Sequence, residues 1–191
     1  MNIIFVKWGT KYSSDDVNKL YKSLSQFADN IFYCYTEDSS NINSNINIID
    51  IPSKPALKKW WNKLAMFNKD FPIQGNNMFF DLDLNINSNP FYVLDKVNWD
   101  TLTMVSREDK INMLNHSDHH FDVSVNSSVL CWNSNNKKIH EIWNKFINSG
   151  LKDYYLRKYV GIDRYIVHEE FEHSTFPFDY IRDEVITHAK R

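Results

Sequence analysis

Glycine and proline are scarce in this 191-residue chain, four and five residues respectively, and two phosphate-binding devices are missing with them. There is no G-x-x-x-x-G-K-[ST] loop and no G-x-G-x-x-G turn. Walker-type hydrolysis and dinucleotide binding therefore lack their usual backbone cradles. No stretch of about 18 apolar residues occurs, so a membrane-spanning helix is not expected. The opening "MNIIFVKWGT" has no basic start, long apolar middle or small-residue cleavage site, and does not read as a signal peptide. Charge of one sign is lacking too. The net charge is −2, the pI is about 6.4, and the basic residues never form a sustained run. Nothing here attracts nucleic acid or an anionic membrane. The two cysteines, Cys34 and Cys131, each sit inside an apolar run ("IFYCYT", "SSVLCW"), as reduced thiols buried in core strands do. A cytoplasmic location is the expectation.

What is present is aromatic and apolar: 15% aromatic and 42% hydrophobic residues, enough for a real core in one domain spanning 1–191. "NIIFVKW" reads as a first strand. In "SSDDVNKLYKSLSQFADN", Val17, Leu20, Tyr21, Leu24, Phe27 and Ala28 recur at helical spacing behind a serine- and aspartate-rich start. "NINSNINIID" reads as a loop entering a strand, and "IFYCYT", "INIIDIP", "LTMVS" and "VSVNSSVLCW" as further strands. "ALKKWWNKLAMFNKDF" predicts an α-helix with Trp60, Leu64, Phe67 and Phe71 on one face, leaving Trp61 off that face as the better pocket candidate. "NKKIHEIWNKFINSG" predicts an amphipathic helix closed by Gly150. Strands alternating with helices imply an α/β fold with a mostly parallel sheet flanked by helices. The last forty residues are expected to pack over that sheet.

"NNMFFDLDLNI" carries the chemistry. An apolar strand runs into Asp81 and Asp83, and in an extended strand residues two apart face the same way. Neighbouring carboxylates repel, and burial adds to the cost. A hard divalent cation, Mg²⁺ or Mn²⁺, would relieve both terms while keeping positions open for phosphate oxygens. The alternative is a strand-end turn with solvated carboxylates. Ligands of open α/β sheets bind at the carboxyl ends of strands, which is where this pair lies.

The ordered set "KKWWNKLAMFN", "MFFDLDLNI", "VNSSVLCWN" and "GIDRYI" resembles GT-A glycosyltransferases with a D-x-D motif, of the family 8-like, compact phage and bacterial type. The likeness runs from residue 3 to about 188. It implies the Rossmann-like GT-A architecture and transfer of a sugar from a nucleotide-diphosphate sugar, a UDP-sugar, to a hydroxyl on a glycan, lipid or protein, with retained anomeric configuration. It implies Asp83 as the principal metal ligand, with Asp81 contacting the ribose or sharing the metal. Lys11 and Tyr12 would line the nucleotide pocket, the Tyr ring stacking on a base. Lys63 would approach the donor sugar or diphosphate from the helix carrying Trp60 and Trp61, Asn126 and Ser127 would lie beside the sugar, and Asp163 would recognise donor-sugar or acceptor hydroxyls. His188 would be a further metal ligand, although the Gly and Lys-Pro that usually follow it are replaced by "HAKR".

Each position also has a plainer reading. Tyr12 suits a core, Lys63 a solvated helix face, Asp163 a helix cap and His188 a frayed end. "HSDHH" (116–120) reads as a loop rather than a metal site. "HEEFEH" (168–173) spaces its histidines five apart, too far to share a helical face as zinc proteases require. Two other functions remain open: an NDP-sugar nucleotidyltransferase, which normally needs a Gly- and basic-rich loop where this chain has "KWGTKYSSDD", and a non-catalytic nucleotide-sugar-binding module.

Overall fold

A computed structural model describes residues 1–52, 57–106, 124–177 and 185–188. Its strands are β1 (Asn2–Lys7), β2 (Ile31–Thr36), β3 (Ile46–Asp50), β4 (Asn76–Phe80), β5 (Leu84–Ile86), β6 (Leu102–Ser106), β7 (Val125–Asn133), β8 (His173–Thr175) and β9 (Ile186–His188). Among the described residues, seven of them form one sheet in the order β3-β2-β1-β4-β7-β6-β8, and β5 pairs with β9 apart from it. β1, β2, β3 and β4 are parallel, β7 runs against β4 and β6, and β8 is parallel to β6. The expected mostly parallel α/β sheet is thus present, with β7 as its one reversed strand.

β1 shows why the sheet is a middle layer. All six of its residues are buried, and successive side chains enter opposite cores: Ile3 and Phe5 on one face, Ile4 and Val6 on the other. β4 and β7 alternate in the same way. The first face is covered by α1 (Ser14–Ser25) through Val17, Leu20 and Leu24. Ser13 and Asp16 close its start with a reciprocal capping box. The second face carries α2 (Lys137–Asn148), packed through Ile139, Ile142, Trp143 and Phe146, and the short helices α3 (Lys152–Lys158) and α4 (Ile162–His168).

The tryptophan-rich segment departs from expectation. Lys59–Phe67 is a 3-10 helix, not an α-helix. With three residues per turn, side chains at i and i+3 eclipse, so Trp61, Leu64 and Phe67 form the buried face. Trp61 stacks on Phe146 at 5.1 Å, and Phe67 meets Trp132 edge-on at 5.4 Å. Tertiary packing against α2 and β7 selects the tighter winding, and Trp60 is left 37% exposed. The roles predicted for the two tryptophans are exchanged.

Cys34 and Cys131 are free and buried. The "HSDHH" segment lies outside the described residues. His168 of "HEEFEH" stacks on Tyr159, and His173 bonds the Phe171 carbonyl through its ring Nδ1.

Candidate active site

β1 leads one way to β2 and the other way to β4, and the carboxyl ends of these two central strands open into a cavity of about 480 Å³. This is the topological switch point at which open α/β sheets bind ligands. Asp81 follows β4 directly. Phe80 faces the α1 side, so strand alternation turns Asp81 to the opposite side, toward the 3-10 helix. The chain then turns instead of continuing extended. Leu84 N donates to the Asp81 carbonyl at 3.3 Å, and Leu82 is buried under the turn. Both carboxylates still line the cavity, Asp81 through strand alternation and Asp83 through the turn.

A nearby cation accommodates Asp81. Lys63 Nζ lies 2.7 Å from Asp81 Oδ1 and 2.8 Å from Oδ2, donates to the Ser127 carbonyl at 3.2 Å, and sits 4.9 Å from the centre of the Phe79 ring. Lys63 is buried, so the solvated-face reading does not apply. Burial nonetheless lifts the Asp81 carboxyl above the usual carboxylate range. Lys63 opposes that rise, and the Asp83 and Asp163 carboxylates add to it. Asp81 is enclosed by protein on most sides, yet 28% of its side chain remains open at the cavity wall.

Asp83 accepts a hydrogen bond from Tyr12 Oη at 3.0 Å. Tyr12 leans on the α1-side core, and Lys11 Nζ lies 4.7 Å over its ring. Lys11, Tyr12 and Asp83 also border a second hollow of about 590 Å³ between α1 and β5.

Asn126 and Ser127 reach the cavity through an irregular pairing. Met104 pairs with Leu130 but Val105 pairs with Asn126, so Ser127, Ser128 and Val129 face no residue of β6. β7 follows β4 there instead, with Val129 opposite Phe80 and Asp81 N donating to the Ser128 carbonyl at 2.8 Å. Asn126 Oδ1 braces the bulge by accepting from Ser128 N at 2.7 Å. Bulges of this kind re-aim side chains beside functional sites.

Gly161 enters α4 at φ +112°, a conformation that favours glycine, and the turn brings Asp163 to the cavity. The N-cap is Gly161, so Asp163 stands inside the helix and not at its cap, and its Oδ1 is buried without a hydrogen-bond partner among the described residues. The helix-cap reading therefore fails.

Eight predicted site residues, Lys11, Tyr12, Lys63, Asp81, Asp83, Asn126, Ser127 and Asp163, thus line one cavity. Trp61 does not, being 4% exposed inside the core. In its place stand Trp60, Trp8, Lys59 and Val160, which the sequence reading did not include. A three-residue period in "WWNKLAMF" was the signal that would have found Trp60. His188 lies in β9 opposite Leu84, the residue after Asp83, so the segment Ile186–His188 is a paired strand and not a frayed end.

No protein-family model matches this chain, and no curated protein matches it in sequence. Solved glycosyltransferases share its fold. Glycosyltransferase GlyE of Streptococcus pneumoniae superposes with a TM-score of 0.60 at 16% identity, over 94% of this chain and 46% of GlyE. Galactosyltransferase LgtC, solved with donor and acceptor sugar analogues, gives 0.58 at 13% identity, over 92% of this chain and 73% of LgtC. This chain therefore spans less than half the length of GlyE. At such identities the likeness is one of fold: a GT-A-type α/β sheet.

Asp81, Asp83 and Asp163 offer hard oxygen donors around one cavity, and one of those oxygens is buried without a partner. Among the described residues no three His, Cys, Asp or Glu side chains are placed together to hold a metal ion, so the candidate ligands among those side chains are the pair Asp81 and Asp83 alone. Two carboxylates with open positions suit Mg²⁺ or Mn²⁺, which keep water or phosphate oxygens in their shell. The residues fit.

Proposed function

We propose that the chain is a metal-dependent glycosyltransferase that moves a sugar from a nucleotide-diphosphate sugar, a UDP-sugar, to a hydroxyl acceptor with retained configuration. The observation that carries this reading is the convergence of Asp81, Asp83, Asp163, Lys63, Lys11 and Tyr12 on one cavity at the sheet's switch point. The GT-A fold supports it. The assignment of retention rests on the resemblance alone.

Asp83, with Asp81, would hold Mn²⁺ or Mg²⁺, which when bound supplies positive charge for a departing diphosphate. His188 is proposed as an additional ligand, because β9 brings it level with Leu84. Tyr12 Oη fixes the orientation of the Asp83 carboxylate. Tyr12, with Lys11 4.7 Å over its ring, is the residue proposed to stack on the base. Lys63 holds Asp81 and ties it to the β7 bulge, so its first role is positional, and its charge also lowers the cost of negative charge developing nearby. Asn126 and Ser127 present polar groups to the sugar, and Asp163 accepts from its hydroxyls.

The test is release of nucleoside diphosphate from a panel of nucleotide-sugars with Mn²⁺, alongside calorimetry of nucleoside diphosphate binding. Asp83→Asn should keep the wild-type circular dichroism and lose at least about tenfold in metal-dependent affinity, roughly 1.4 kcal/mol. Unchanged affinity in the variant, or in EDTA, refutes the metal assignment. Binding without turnover across donors and acceptors favours the binding-module reading.

A further inference from the structure

A separate cavity of about 300 Å³ lies at the carboxyl ends of β2 and β3, toward the edge of the sheet, and shares no lining residue with the switch-point cavity. The 3-10 helix contributes to both, Lys63 to the first and Asn62 and Ala65 to the second. The walls of this second cavity are aromatic: Tyr35 and Phe71 meet edge-on at 5.5 Å, and Trp143 of α2 joins them. Two polar side chains are buried there with hydrogen-bonding capacity unused. Tyr35 is 3% exposed, and its hydroxyl bonds no described residue. Burial pushes that hydroxyl up to about 12, and no neighbouring charge opposes the rise. Asn62 is 2% exposed, donates to the Lys59 carbonyl at 3.3 Å, and leaves its Oδ1 without a described partner. Asp50 and Asp70 stand exposed at the same cavity, and neither carboxylate has an ion pair or hydrogen bond among the described residues. No lysine, arginine or histidine among those residues lines it.

We propose that this cavity binds a small organic amine with an apolar body and a hydroxyl at its far end. The ammonium faces Asp50 and Asp70, the body lies against Phe71 and Trp143, and the hydroxyl meets Tyr35 and Asn62. The order follows from burial, with the carboxylates at the exposed rim and the two unsatisfied polar groups deepest. Two carboxylates without a cation attract a positive ligand and repel an anion, and aromatic faces favour an ammonium over a neutral head. A purely apolar ligand would leave Tyr35 and Asn62 without partners, which is costly for buried groups. A bare metal ion would leave the aromatic walls unused, and no third His, Cys, Asp or Glu side chain joins the pair among the described residues. The proposal is independent of the glycosyl-transfer reading.

Saturation-transfer NMR titrations of the whole chain test this with tyramine, 2-phenylethylamine and tyrosol, which separate the charge from the hydroxyl. Tyramine should bind roughly tenfold more tightly than tyrosol, its uncharged analogue, and a few-fold more tightly than 2-phenylethylamine, which lacks the hydroxyl. The double variant Asp50→Asn, Asp70→Asn should abolish the preference for tyramine over tyrosol. Tyr35→Phe should keep the wild-type melting temperature, because the deleted hydroxyl bonds nothing in the protein, and should erase the preference over 2-phenylethylamine. Failure of tyramine to bind wild type, equal affinity for tyrosol, or a preference that survives the double variant overturns the site. A lower melting temperature for Tyr35→Phe, which would reveal a partner for the hydroxyl within the protein, overturns it as well.

Discussion

Replacing Lys63 with methionine removes the cation that faces Asp81 while keeping a side chain of similar length. Asp81 would then keep Asp83 and Asp163 as like-charged neighbours and lose the group that opposes its burial. Deleting one partner of a fully buried ion pair costs about 3–5 kcal/mol. Solvent reaches 28% of the Asp81 side chain, which lowers the expected cost to roughly 2–3 kcal/mol. In a chain of this size that corresponds to a fall in Tm of roughly 4–12 °C. The pH dependence has a definite sign. A carboxyl whose folded pKa lies above its unfolded value, about 3.9, contributes most stability below that value and loses the contribution as pH rises through the folded pKa. Removing Lys63 lifts the folded value further. The gap between wild type and Lys63→Met is therefore widest near neutral pH and narrows as pH falls toward about 4. Urea unfolding of wild type, Lys63→Met, Asp81→Asn and the double variant measures the coupling. Equal stability of Lys63→Met and wild type at neutral pH, or the same loss when Asp81 is already asparagine, refutes the pairing as what makes Asp81 tolerable.

Trp61→Ala should cost about 3–5 kcal/mol of stability, as truncation of a buried aromatic does, whereas Trp60→Ala should stay within about 0.5 kcal/mol; chemical denaturation of both variants distinguishes core from rim. Burial pushes the Cys34 thiol up to about 12 against the opposing pull of Lys7, and it raises Cys131 as well. Neither cysteine should react with Ellman's reagent at mildly alkaline pH in the native protein, and both should react once it is denatured. Rapid native labelling would show that one of the thiols is reachable.

Much of the site was legible because it is written in local pattern. The apolar run before Asp81 and Asp83, the strand before Lys11 and Tyr12, and the alternation of strands with helices depend on period and composition, and period fixes which side chains share a face. The likeness of ordered motifs then pointed to Lys63, Asn126, Ser127 and Asp163, which the fold brings to one cavity. Where the sequence misled, the deciding interactions were non-local. An α-helical period placed Trp60 inward, but the partners that decide the winding, Phe146 and Trp132, are far along the chain. The strand expected to carry both aspartates turns after Asp81, where Leu82 is buried beneath the turn. That Asp81 is paired with Lys63 and Asp83 with Tyr12 depends on which ends of β1, β4 and the 3-10 helix meet. No local pattern encodes a distance across 18 or 71 positions of chain. The sequence by itself determined the layers and the residue types of the site; packing across the sheet decided which tryptophan faces the cavity and which charges answer each other.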